Sequence, residues 1–141
     1  MRIMAIDYGD ARTGVAVSDT SLTLVGDAWV VHSKKMEEVA QAIVTEAVKR
    51  GVTRIVVGYP KNMDGTTGPR AEKSEHLVGL LRELSEIEAV LWDERMTTVS
   101  AGRVLTDAGK FGKKRKNTID AVAAALILES YLGSLQGAGG V

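Results

Sequence analysis

The chain has 141 residues, and 18 Lys+Arg offset 18 Asp+Glu, so its formal net charge is zero and its length suits one folded domain. The zero balance argues against a bulk-basic nucleic-acid binder, leaving any contact with phosphate to local patches. The absence of cysteine excludes disulfides, zinc-thiolate sites and thiol nucleophiles. No apolar run approaches the roughly 20 residues of a membrane helix. The opening MRIMAIDYGD lacks a signal-peptide pattern, because an acid interrupts a short apolar stretch, so a cytoplasmic protein is expected.

In chain order, residues 2–7 (RIMAID) read as a strand ending on an acid, and YGDAR (8–12) as a turn. Residues 13–18 (TGVAVS) give a second strand, placed to pair as a hairpin, and 27–32 (DAWVVH) a third. Val39, Ala40, Ile43, Val44 and Ala47 recur at i, i+3/i+4 and predict a helix from Met36 to Lys49, with Gly51 at its stop. RIVVG (54–58) is the β-branched run of a buried parallel strand. A polar, turn-rich loop from Lys61 to Arg70 leads to a second helix over 70–85, carrying Leu77, Leu80, Leu81 and Leu84. EAVLW (88–92) is a further strand running into DER. Thr97 or Thr98 would cap a short helix to Ala108. A basic loop, KFGKKRKN, precedes an apolar last helix over 118–132, and 134–141 reads as a loose tail after a single domain of residues 1–133. The order β-β-β-α-β-α-β-α-α predicts a mixed α/β sheet covered by helices on both faces.

Acids stand at three places in the chain where chemistry is expected. Asp7 ends the first strand, the end at which α/β sheets bind ligands, and Gly9 and Gly14 would let backbone approach a phosphate. Asp7 is equally read as an Asx turn closing the hairpin. Asp93 and Glu94 follow the strand AVLW, and strand alternation puts only one of them toward Asp7, with Trp92 and Glu94 on a common face. The plain alternative is a solvated strand end. Asp120 interrupts an apolar helix near its first turn, either to favour the helix dipole or to project toward Asp7. Scattered acids at the ends of separate elements suit a hard divalent cation, Mg²⁺ or Mn²⁺, whose remaining ligands come from phosphate and water. The cluster Lys110, Lys113, Lys114, Arg115 and Lys116 is a phosphate-binding candidate, or simply a solvated loop. His32 and His76 lack metal spacing, and Trp29 and Trp92 sit in strand patterns as core residues.

Four stretches together resemble the YqgF/RuvX family of Holliday-junction-resolvase-like proteins associated with pre-16S ribosomal RNA processing. They are AIDYGDARTGVAVSD (5–19), VVGYPKNMDGTTGPRAE (56–72), DERMTTVSA (93–101) and KNTIDAVAAALILESYL (116–132). The resemblance implies an RNase H-like mixed five-stranded sheet related to the RuvC resolvases, and a Mg²⁺- or Mn²⁺-dependent nuclease that matures the 5′ end of 16S rRNA. Asp7, Glu94 and Asp120 match the family's metal-holding, catalytic acids. Arg12 and Arg95 match its arginines and suit phosphate contacts, and Thr97 and Thr98 also match. One departure from RuvC stands out: the fourth strand ends in Gly58-Tyr59-Pro60 with no acid, so the site must borrow Glu94, or else Asp93, from the fifth strand.

The expected partner is RNA or another structured nucleic acid, bound by a monomer or a homodimer, with no membrane. A DNA-junction resolvase shares the same chemistry, and a nucleic-acid-binding factor in transcription or ribosome assembly is the non-catalytic alternative. An actin-like or sugar-kinase ATPase would need far more chain, and no GxxxxGK[ST] pattern is present.

Overall fold

A computed structural model describes residues 1–60, 65, 67–94 and 115–139, with side chains of the last helix described from Ile119 to Leu135. Three short alternating segments make an antiparallel meander: β1 (Arg2–Asp7), β2 (Arg12–Ser18) and β3 (Val25–His32). The fully buried Thr13 closes its first turn, its hydroxyl accepting from the Gly9 N–H at 3.3 Å and donating to the Gly9 carbonyl at 3.4 Å. Asp19 organises the second turn by accepting from the Thr23 N–H at 3.0 Å and the Ser21 hydroxyl at 2.8 Å.

Helix α1 (Met36–Lys49) then crosses over to β4 (Val52–Tyr59), which pairs parallel to β1. Helix α2 (Pro69–Leu84) crosses to β5 (Glu88–Asp93), parallel to β4. The sheet order is β3-β2-β1-β4-β5, and α3 (Arg115–Gly139) closes the chain. Alternation along the strands separates two cores. Met4, Ile6, Val15, Val17, Ile55 and Val57 pack under α1 and α2. Ile3, Ala5, Ala16 and Val56 pack under α3, against Ala124, Ile127 and Leu128. The mixed five-stranded sheet with helices on both faces is the expected architecture.

The elements differ from expectation at their ends. Helix α2 starts one residue earlier because Pro69 occupies its first turn, where a missing N–H costs nothing. Helix α3 runs past 132 to Gly139: Leu135 extends the stripe that packs on the α3-side core, and the Ser134 hydroxyl bonds back to the Tyr131 carbonyl at 2.6 Å. At its other end Arg115 and Lys116 belong to the helix rather than to the basic loop. The expected short helix to Ala108, together with Arg95, Thr97, Thr98, Lys110, Lys113 and Lys114, lies outside the described residues. No helix among the described residues is long and apolar enough to cross a membrane.

Candidate active site

The site follows from the side-chain alternation of β1. Ile3 and Ala5 face α3, so Asp7, two residues on, faces the same way at the strand's carboxyl end. Its neighbour on β2 is Gly14, paired directly with it. On β4, Ile6 pairs with Val57, which brings Gly58 alongside Asp7. An acid flanked by two glycines on one sheet face has open space on both sides, and each gap is filled by a different element.

Into the gap at Gly58 comes Glu94. A Cβ at position 58 would lie 2.9 Å from Glu94 Oε1 and 2.6 Å from Ile127 Cδ1, so any side chain there would have to push the ends of both side chains from their present places. Gly58 pairs with Trp92 on β5, and Glu94 is the next residue of the same face. Trp92 packs edge-on to Tyr131 of α3, ring centres 5.2 Å apart, which fixes that face of β5. Glu94 thus reaches over the end of β4 to Asp7, and the fourth strand's missing acid is supplied through the space its glycine vacates. Of the two acids after AVLW, Glu94 is the one in this position.

At Gly14, α3 fills the gap. A Cβ there would collide with the backbone carbonyl of Asp120. This close approach sets Asp120 beside β1 and near enough to act on the charge of Asp7. The bare Cα of Gly14 therefore serves helix packing rather than the phosphate approach expected from the sequence. Asp120 accepts from Arg12 Nε at 2.9 Å. Arg12, expected to contact phosphate, is paired here across the β2–α3 contact, with its side chain 41% exposed.

Asp7 and Glu94 share a hydrogen bond, which requires a proton on one of them. Burial first, then the charge of Glu94 and that hydrogen bond, push the Asp7 carboxyl up to about 7; Arg70 opposes the shift and Asp120 adds to it. A divalent cation would satisfy the same oxygens that now hold this proton. The two carboxylates line a pocket of about 30 Å³, enough for a cation or one or two waters, with Tyr8, Asp10, Arg70, Lys73 and Ser74 around it. Among the described residues no three Asp, Glu or His side chains converge as a ready-made metal cage, because Asp120 turns to Arg12 instead. Two carboxylates with water and phosphate oxygens still make a workable magnesium donor set.

A family model described as "RuvX: Holliday junction resolvase" matches residues 1–134. The chain belongs to the RuvX family. Relatives named as candidate pre-16S rRNA nucleases include one from Halothermothrix orenii, 47% identical with 94% of each chain covered. Others come from Ruminiclostridium cellulolyticum (41% identical, 97% of each covered) and Geobacillus thermodenitrificans (45% identical, 95% of this chain and 99% of the relative). RuvX is a nuclease family, so the chain is a hydrolase of nucleic acid by descent. Among solved structures, Thermus thermophilus RuvC in complex with a Holliday junction superposes with a TM-score of 0.71 at 13% identity, covering 97% of this chain and 96% of that one. The fowlpox virus resolvase superposes at 0.58 and 13% identity, over 96% and 99%. At such identities these matches establish the RNase H-like fold and nothing finer.

Lys73 joins the site without having been expected there, and Arg70 was expected only as the end of the loop from Lys61, a loop of the kind that often carries binding groups. The available signal was their i, i+3 spacing at the start of α2, directly after the loop from Lys61. Trp29 and Trp92 are structural: the Arg50 guanidinium lies 4.3 Å over the Trp29 ring, and Trp92 Nε1 donates to Ser130 Oγ at 3.3 Å. His32 and His76 are exposed.

Proposed function

We propose that the chain is a Mg²⁺- or Mn²⁺-dependent endonuclease acting on RNA in the cytoplasm, cutting at the 5′ end of the 16S rRNA precursor. The observation that carries this reading is the Asp7–Glu94 pair, two partly buried carboxyls sharing a proton at the end of the central strand. Burial of like charges is costly unless a cation joins them. Asp7 and Glu94 would hold that cation, with Asp120 joining when Arg12 releases it. When bound, the cation lowers the pKa of a water and neutralises charge developing on the scissile phosphate.

The chain's own residues do the rest. Asp7 and Glu94 lose their shared proton as the site loads. Arg12, freed from Asp120, turns its guanidinium to the RNA backbone, for which its planar fork is suited. Arg95, Lys113, Lys114, Arg115 and Lys116, close to these acids in sequence, extend the phosphate contacts. A second reading, cleavage of four-way DNA junctions, is favoured by the description of the family itself; it requires a two-fold dimer, whereas cleavage of rRNA is within reach of a monomer.

The test is cleavage of end-labelled RNA carrying the 5′ extension of 16S rRNA, beside a four-way DNA junction, in Mg²⁺, Mn²⁺ or EDTA. Metal-dependent cutting of the RNA that disappears in Asp7→Asn is expected. Cutting of the junction alone would favour the second reading, and binding without cutting of either would replace the enzyme with a binding factor.

A further inference from the structure

The wall of the pocket opposite α3 is built by α2, and it is cationic. Arg70 and Lys73 stand one helical turn apart in the first turns of α2 and both line the pocket that holds Asp7 and Glu94. Lys73 Nζ donates to Asp10 Oδ1 at 2.6 Å, but Asp10 is 77% exposed, so this is an ion pair in water that a stronger anion can displace. Arg70 is exposed, and its guanidinium has no ion-pair partner among the described residues.

A pocket lined by Asp7, Glu94 and Asp10 presents negative charge to a polyanion, and a substrate phosphate entering it needs compensation from the protein. Of the candidates for that task expected from the sequence, Arg12 lies on the α3 side, paired with Asp120, and the lysine cluster directly precedes α3 in the sequence. We propose that Arg70 and Lys73 form a phosphate-binding subsite on the α2 side. It takes a backbone phosphate neighbouring the scissile one, so that the strand is gripped on both sides of Asp7. This subsite rests on the nuclease reading and extends it to the path of the strand. Arg70 contributes a planar fork suited to two phosphate oxygens, and Lys73 a point charge that exchanges Asp10 for phosphate.

Salt dependence isolates such contacts, because each phosphate neutralised contributes a slope of about −0.7 (single strands) to −0.9 (duplex) in log K against log[salt]. Binding is measured in Mg²⁺ on the uncut Asp7→Asn background, with the 16S 5′-extension RNA and a four-way DNA junction as probes. The double variant Arg70→Gln/Lys73→Gln is expected to reduce the slope by about 0.7 on the RNA and about 0.9 on the duplex arms of the junction, and to weaken low-salt binding at least ~10-fold. Its melting temperature should stay within ~2 °C of the parent, the usual result for surface changes. Lys49→Gln is the charge control. Lys49 ends α1 at the amino-terminal edge of β4, the opposite end of the sheet from the pocket, and should leave the slope unchanged. Reduced slopes on both probes mean the subsite reads phosphate alone, and a reduction on RNA only assigns it to the RNA path; either supports the proposal. A normal slope in the double variant, with the parent still binding, overturns the subsite and spares the nuclease reading. A parent with no salt-dependent affinity for either probe overturns both.

Discussion

Replacing Asp7 by Asn should stabilise the metal-free protein while abolishing its activity. Asp7 has its carboxyl raised to about 7 by burial and by Glu94. In the unfolded chain it titrates near 4, as an ordinary carboxylate. A folded pKa above the unfolded one means stability that is complete below pH ~4 and is lost as pH rises through ~7. The interval of roughly 3 units corresponds to at most ~4 kcal/mol, and sharing the proton with Glu94 brings the expectation to about 2–4 kcal/mol. Asn keeps the size of the side chain and an N–H to offer Glu94 but carries no charge to desolvate. Denaturant melts in EDTA between pH 4 and pH 9 would read this directly. The wild type should weaken by about 2–4 kcal/mol across that range, while Asp7→Asn stays nearly flat and is the more stable protein at pH 8. Parallel profiles, or a variant less stable than wild type at pH 8, would refute the account of the paired carboxyls.

Other substitutions probe the neighbouring contacts. Gly58→Ala places a methyl where Glu94 Oε1 and Ile127 Cδ1 now sit; cleavage should fall at least ~10-fold, with about 1–3 kcal/mol of destabilisation from overpacking, and activity within twofold of wild type would contradict the shared slot. Arg12→Gln breaks a pair whose side chains are 41% and 25% exposed, so stability should change by less than about 1 kcal/mol. Removing that competitor for Asp120 should lower the Mg²⁺ concentration needed for half-maximal binding, measured by calorimetric titration. An unchanged midpoint would show that Asp120 takes no part. Leu128→Ala empties a fully buried position on the sheet-facing side of α3 and should cost about 2–5 kcal/mol in urea melts with an unchanged m-value.

Much of this arrangement is legible in the sequence, for local reasons. RIMAID alternates and ends on an acid, so both the strand and the placement of Asp7 follow from a period of two. The spacing of Val39, Ala40, Ile43, Val44 and Ala47 sets α1 at its observed ends. What the one-dimensional pattern leaves open is the partner of Asp7. Alternation puts Glu94 and Asp93 on opposite faces of β5 without saying which face meets Asp7. That choice is made by strand register, by Trp92 packing on Tyr131 and by the absent side chain at Gly58. In the sequence Gly58 is only a missing acid; in the fold it is the opening that admits one. The sequence marks Arg70 only as the end of a loop and Lys73 not at all, because a charge pair at a helix start is usually just solvated; the crossing of α2 over the strand ends brings both to the site.

The central claim is that Asp7 and Glu94 together hold a catalytic cation. The most direct test is to locate Mn²⁺ by anomalous scattering in crystals of the wild-type protein. The account predicts a peak bonded to carboxylate oxygens of both Asp7 and Glu94, at about 2.0–2.2 Å if the ion adopts the near-octahedral geometry of a small hard cation. A peak held by Asp93 instead, or no peak between the paired carboxyls at saturating Mn²⁺, would contradict it.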